Sequence, residues 1–557
     1  MTTETYDAAL DRAAQTCGVE SRFWDIFGRE RVASQEARRA IVQALGIDAA
    51  SAESIDAALK ERERKEWTRI LAPSYVCSHT DGHIRLSIKL PVSELRNAAR
   101  VRVRLESGEE LLARQDLAAL AIEERKTFDV PWGRVTLDLR FDVPTGYHEF
   151  EIEAGSRRAS SRLIIAPVAA WQPEFLKNGG KTAGFNVALY GLRSARNWGF
   201  GDFTDLKALA TWAAAELGVS FIGVNPLHSI HNRRPYNTSP YLPNSIFFQN
   251  CLYLDVERID EWRECRRAQS CFATAETQRE LHLLREAPEV EYERVSQIKT
   301  RFLKLLFVEF LRKHWKRDTA RARQFEAYRN EAGALLSRYA LYCALDEHLR
   351  RGDAGPWIWT DWPAEYRNPG SPQSAAFAKK HWRAVLFYQY AAWQTAEQLE
   401  AAQKHAVDAG LALGLYHDLA LATDRFGADI WARRDLFAGG CRVGSPPDDF
   451  SPRGQDWGFP PPNTIALRED GYHAFRESIR RSCQHGGALR IDHVMRLFRL
   501  YWIPDGMNAS QGAYVRDRAE DLVRILALES VRNRVLIVGE DLGTVEPYIR
   551  EMLANFG

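Results

Sequence analysis

Two short apolar runs, each ending on a carboxylate, constrain this chain more than any other feature. Ala488-Leu-Arg-Ile-Asp492 and Val535-Leu-Ile-Val-Gly-Glu540 set Asp492 and Glu540 48 positions apart. An apolar run of four to eight residues bounded by glycine predicts a strand buried on both faces. Parallel α/β barrels keep their reacting groups at the C-terminal ends of such strands, so two of them aim two carboxylates into one mouth. From residue 169 onward, predicted strands alternate with helical stretches, as βαβ units require. Gly184–Tyr190, Phe221–His228 and Leu411–Asp418 are the earlier strands of the series. A largely helical insertion at about 256–405 separates the second from the third; Val295, Ile298, Phe302, Leu305, Leu306 and Phe310 keep the spacing of one apolar helix face.

Paired carboxylates are what cleavage of a glycosidic bond needs, one ionised to attack the anomeric carbon and one protonated to donate to the leaving oxygen. Either carboxylate alone could as well cap a strand or pair with an arginine. Arg490 lies two positions before Asp492, so strand alternation puts both on one face, where a guanidinium can keep the carboxylate ionised and oriented.

The 557 residues carry 75 Lys+Arg against 74 Asp+Glu, a net charge of +1. No electrostatic footprint points to nucleic acid or an anionic membrane, and a neutral substrate fits. The start, Met-Thr-Thr-Glu-Thr-Tyr-Asp7, has neither a basic nor an apolar segment, and no run approaches the roughly 18 apolar residues of a membrane span. The expected location is the cytoplasm. Eight cysteines without a C-x-x-C pair argue against a zinc site or a disulfide framework, and no metal or organic cofactor is expected.

Ahead of the barrel two smaller modules separate by pattern. Residues 1–70 are charged and helix-prone, with Ser34 placed to cap a helix that Gly46 ends. Residues 71–168 switch to period two, as in His83–Leu90 and Ala99–Leu105, with turns at Ser107-Gly108 and Pro144–Tyr147; this predicts a β-sandwich. It could bind or guide a substrate chain or simply pack beside the barrel, and no aromatic cluster marks a sugar platform. Residues 169–557 form the third unit.

Arg490-Ile-Asp-His493, Leu497-Phe-Arg-Leu-Tyr-Trp-Ile-Pro504, Gln511-Gly-Ala-Tyr-Val515 and Val538-Gly-Glu-Asp-Leu-Gly543 closely resemble the 4-α-glucanotransferase (amylomaltase) family, glycoside hydrolase family 77. The resemblance implies a (β/α)8-type barrel of the α-amylase clan that transfers α-1,4-glucan segments between donor and acceptor chains through a covalent glucosyl-enzyme. Asp492 would be the nucleophile and Glu540 the general acid/base, with Arg490 and His493 beside them. Asp418 resembles a substrate-binding carboxylate of the clan, though a helix cap is an equal reading. Thr238-Ser-Pro-Tyr241, with Ser245 and Asn250, resembles a donor-side segment. The Pro/Gly-rich stretch Gly444-Ser-Pro-Pro-Asp-Asp-Phe450 and Gly454-Gln-Asp-Trp-Gly-Phe-Pro460 resembles the loop arching over the acceptor side, so Pro447, Asp448, Phe450, Gln455 and Trp457 join the substrate-binding set. A loop with so much preset backbone between two barrel strands is more often functional than not.

Members of that family have eight strands and a further catalytic Asp, following a His, on the seventh. A barrel ending at Gly557, after the fifth strand, has no residue assignable to that role. The expectation is therefore a truncated barrel, aggregation-prone at its open edges and inactive in transfer, either as a fragment or as a shortened relative. Two other activities stay open: an α-amylase-type glucan hydrolase using the same carboxylates, and a non-catalytic glucan-binding protein.

Overall fold

The computed structural model describes residues 5–79, 82–233, 237–350, 355–543 and 545–557. Met1–Glu4, where the reading of the N-terminal segment began, lie outside them. At the centre is a parallel sheet whose strands lie side by side in chain order: β1 (Gly184–Val187), β2 (Phe221–Val224), β3 (Gly414–Leu419), β4 (Ala488–Ile491) and β5 (Leu536–Gly539). Helices Phe203–Leu217, Trp382–Asp408, His473–Cys483 and Ala519–Asn533 lead into β2, β3, β4 and β5 respectively. The first of them starts at a capping box between Asp202 and Asp205 and stops at Gly218 in the left-handed region. Among the described residues the central sheet holds these five strands.

Two predicted strands are shorter than their apolar runs. The run Phe221–His228 breaks after Val224, where Asn225-Pro226 interrupts the ladder because proline has no N–H to donate. His228–Ser229 instead pairs antiparallel with Ser245–Gln249. β3 begins at Gly414 rather than Leu411, because Gly410 and Gly414 both take positive φ and turn the chain onto the sheet. The insertion is helical as predicted. Its Tyr292–Lys313 helix buries Val295, Ile298, Phe302, Leu306 and Phe310, with Leu305 packed at the margin. Its last helix, Trp382–Asp408, runs past residue 405 and packs on β3 and on Phe203–Leu217, so it is the crossover helix itself.

The β-sandwich consists of a five-stranded sheet (Ser74–Ser78, Arg157–Ala166, Gly146–Ala154, Ala98–Arg104, Glu110–Asp116) facing a three-stranded one (Ile84–Pro91, Pro131–Leu139, Glu124–Thr127). Alternate residues such as Leu86, Ile88, Val101, Val103, Leu137 and Phe150 fill the space between them. The sandwich rests on the Ala519–Asn533 helix, where the Tyr147 hydroxyl donates to Glu529 at 2.5 Å.

The N-terminal segment does not stand apart as a purely helical unit. Besides helices Tyr6–Thr16, Gln35–Ala44 and Ala52–Trp67 it holds a hairpin of Arg22–Trp24 with Glu30–Val32. Ser34 caps its helix as expected, accepting the Ala37 N–H. Leu10, Ile41, Val42 and Ile47 share one core with Val443, Leu500, Trp502 and Val515. Those last residues belong to an antiparallel sheet the sequence reading missed, in the order Gln455–Asp456, Cys441–Ser445, Arg499–Pro504, Ala513–Arg516. The Pro/Gly-rich stretch is thus partly sheet and only partly loop. Among the described residues no helix is long and apolar enough to cross a membrane, and no His/Cys/Asp/Glu group is arranged to hold a metal ion.

Candidate active site

The parallel register sets Asp418 of β3 opposite Arg490 of β4, and Ile491 opposite Gly539 of β5. Asp492 and Glu540 therefore leave neighbouring strands side by side. The ladder runs one residue further, with Asp492 N–H donating to Leu419 O at 3.2 Å and Glu540 N–H to Ile491 O at 3.0 Å. His493 then turns the chain at φ +48°, and Val494 N–H donates to Glu540 O at 2.9 Å. The Glu540 carboxylate is held from both sides by backbone, accepting His493 N–H at 2.9 Å and Leu542 N–H at 2.7 Å.

Arg490 is the hub. Its Nη1 donates to Asp418 Oδ1 at 2.7 Å, while Nη2 lies 2.9 Å from Asp492 Oδ1 and 3.9 Å from Glu540 Oε2. The Tyr241 hydroxyl donates to the other Asp418 oxygen at 2.8 Å. Asp418 is therefore no helix cap; it sits inside β3 and is gripped from two sides. Burial raises the Asp492 pKa above the usual carboxylate range; Arg490 pulls it down, while the Asp418 and Glu540 charges add to the rise. Asp418 is raised for the same first reason, against the hydrogen bond and charge of Arg490. Arg490 both orients Asp492 and favours its ionised form, as expected of a guanidinium at 2.9 Å, but burial together with the Asp418 and Glu540 charges outweighs that pull. Burial lowers the His493 pKa against the pull of Glu540 and Asp492, favouring a neutral ring.

With this geometry in place, comparison with known proteins decides the family. A family model described as 4-alpha-glucanotransferase, glycoside hydrolase family 77, matches residues 187–557, and a MalQ N-terminal beta sandwich domain matches residues 70–167. The 4-alpha-glucanotransferase of Mycobacterium tuberculosis (strain ATCC 25618 / H37Rv) is 35% identical over 558 residues, covering 98% of this chain and 73% of its own. That of Haemophilus influenzae is 38% identical over 417 residues, covering 74% of this chain and 59% of its own. The crystal structure of amylomaltase from Corynebacterium glutamicum superposes with a TM-score of 0.84 at 28% identity, over 99% of this chain and 74% of that one. The chain belongs to the 4-alpha-glucanotransferases of glycoside hydrolase family 77.

In this glucanotransferase fold the sheet-and-loop stretch after β3 meets His493, the residue after Asp492, through Trp457. The Trp457 ring meets the His493 ring edge-on at 5.2 Å, stacks on Phe459 at 6.2 Å, and donates from Nε1 to Gln455 Oε1 at 3.0 Å. Phe450 is 97% exposed at the tip. Asp448 shapes that tip, its Oδ1 accepting the N–H groups of Phe450 at 2.9 Å and Ser451 at 2.5 Å; Pro447, just before it, is half-buried.

Ser245 and Asn250 do not reach the cleft. Ser245 is fully buried, its hydroxyl accepting Phe247 N–H and hydrogen-bonded to Asp429. Asn250 exchanges amide hydrogen bonds with Asn232 at 2.8 and 3.1 Å and accepts Leu252 N–H. Both side chains are buried and spend their hydrogen bonds within the fold, away from Asp492 and Glu540. The sequence reading also overlooked Arg496. It sits one turn beyond His493 in the field of Asp492 and Asp517, and burial lowers its pKa to about 10. A cation inside the apolar run Val494-Met-Arg-Leu-Phe498 was the available signal.

Proposed function

We propose that this glucanotransferase works by a retaining double displacement in which Asp492 is the nucleophile and Glu540 the general acid/base, on α-1,4-glucan donors and acceptors. The observation that carries the reading is the single Arg490 nitrogen shared by Asp492 at 2.9 Å and Glu540 at 3.9 Å. It favours the short carboxyl spacing of retaining pairs, about 5–5.5 Å, over the wider gap of about 6.5–9.5 Å that accommodates a water in inverting pairs. Arg490 holds one Asp492 oxygen and leaves the other for C1 of the sugar. Each Glu540 oxygen spends one lone pair on a backbone N–H, so a second remains for the proton that goes to the departing 4-oxygen. Glu540 then takes the proton of an incoming 4-hydroxyl.

That acceptor must displace water, present at about 55 M, and well-positioned groups reach effective molarities of roughly 10⁵–10⁸ M. Trp457, packed on His493, and the exposed Phe450 form the acceptor side, while Tyr241 and Asp418 hold the donor. Products from maltotriose test the activity: a ladder of longer and shorter glucans supports transfer, only shorter sugars mean hydrolysis, and unchanged substrate leaves glucan binding. The roles are tested by Glu540→Gln with an activated glycosyl fluoride, whose leaving group needs little acid help. A covalent adduct on the peptide containing Asp492 is expected by mass spectrometry, and an adduct elsewhere overturns the nucleophile assignment.

A further inference from the structure

Away from the catalytic cluster, a cavity of about 690 Å³ opens where the N-terminal helices, the start of the sandwich and the segment following the antiparallel sheet meet. Its size falls within the roughly 300–1,000 Å³ of small-molecule sites. Cations dominate its wall: Arg62, Lys65, Arg69, Arg468, Arg516 and Arg518 face Glu61, Glu66, Glu469 and Asp517. Some of these pair off. Arg69 bonds Glu469 at 2.5 Å, Lys65 lies 3.7 Å from Glu61, Arg516 bonds Glu20 at 2.6 Å, and Glu66 reaches Lys89 at 3.5 Å.

Arg62, Arg468 and Arg518 are left without a carboxylate partner among the described residues. The half-buried Arg62 donates to the Cys17 thiol at 3.2 Å, a weak acceptor for a guanidinium. Arg468 has its Nε buried with no hydrogen-bond partner, and the like charge of Arg518 lies close enough to add to the effect of burial in lowering its pKa. A buried donor such as Arg468 Nε is costly to leave unmatched, and guanidiniums gathered in one cavity are a usual means of holding a phosphoryl group. Asp517 belongs to the same wall, but its Oδ1 accepts the Arg518 N–H at 2.7 Å.

We propose that this cavity is a binding site for a small phosphate monoester, its phosphoryl group held by Arg62, Arg468 and Arg518. The lining contains Leu45, Ile47, Ala58, Pro73 and Ile465 but no aromatic side chain, so nothing in it stacks on a nucleobase; a sugar phosphate fits better than a nucleotide. The site is separate from Asp492 and Glu540 and stands whether or not their roles are as proposed.

Isothermal titration of the full chain with glucose 1-phosphate, inorganic phosphate, AMP and glucose, at fixed ionic strength, tests it. Saturable binding of glucose 1-phosphate and phosphate is expected, with AMP weaker and glucose without effect at the same site. Arg468→Gln and Arg62→Gln should each weaken phosphate binding by about tenfold or more, the loss of one charge-assisted pair. The exposed Arg518→Gln provides a variant whose folding is not at issue, and Lys404→Gln, on a remote exposed helix surface, should change nothing. No saturable phosphate binding, or equal binding in the wild type and all three arginine variants, overturns the site. AMP binding as tightly as glucose 1-phosphate overturns the preference for sugar.

Discussion

Replacing Arg490 by methionine tests the core of the catalytic reading, because Arg490 touches Asp418 and Asp492 and lies near Glu540 at once. The side chains of Arg490 and Asp492 are 28% and 22% exposed, so their attraction is only partly screened. A charge-assisted hydrogen bond in such a place is worth about 1.5–3 kcal/mol, and one pKa unit corresponds to about 1.4 kcal/mol. Without the guanidinium the Asp492 pKa, already raised by burial and by Asp418 and Glu540, should climb by a further ~1–2 units. The attacking form is the ionised one, so the acid limb of the kcat/KM profile should move to higher pH by that amount. Arg490→Lys keeps the charge but not the fork; it should leave the limb nearly in place while lowering kcat through lost orientation. Glucose release from maltotriose across the pH range measures both. An acid limb that does not move in Arg490→Met would refute the argument, showing that Asp492 ionisation is set without Arg490.

Burial raises the Asp429 pKa to about 7, against hydrogen bonds from Ser245, Ile246 and Thr423. The folded chain then keeps a proton that the unfolded chain releases near 3.8, so stability declines as pH rises from about 4 to about 7, by on the order of 4 kcal/mol. Asp429→Asn should flatten Tm across that window and raise it at pH 8; a wild-type Tm that climbs from pH 4 to 7 through this group would contradict the assignment. Trp457→Ala should raise the ratio of hydrolysis to transfer, since water needs no aromatic platform, and equal losses in both rates would reduce Trp457 to packing. Glu20→Ala removes the carboxylate that pairs with buried Arg499 at 2.7 Å and with Arg516 at 2.6 Å. Because Glu546 stays within 3.5 Å of Arg499, the cost should lie near the lower end of the 3–5 kcal/mol range for a broken buried pair, read as a lower urea midpoint with unchanged slope.

The legible parts of the site are those where neighbours in sequence are neighbours in space. Strand alternation alone puts Arg490 beside Asp492, and the buried apolar runs ending on Asp492 and Glu540 mark two strand ends before any contact is known. The helix face of Val295 through Phe310 and the period-two strands of the sandwich were readable for the same reason, since a periodic pattern carries its own local geometry. Ser245 and Asn250 misled because a motif shows that a segment is near a site, not which side chains face it.

What the sequence determined by itself is a βα series with carboxylates at strand ends, an apolar helical insertion and a two-sheet module ahead of them. Tertiary structure alone decided the rest. Asp418, 72 positions from Arg490, shares its guanidinium only because β3 and β4 pair in one parallel register. The antiparallel sheet draws Gln455, Arg442, Arg499 and Val515 from segments far apart in the chain, and the N-terminal helices complete its core. The acidity of Asp492 is likewise a tertiary property. Strand spacing places Arg490 next to it, but desolvation depends on everything packed around the cluster, and that outweighs the one neighbour the sequence reveals.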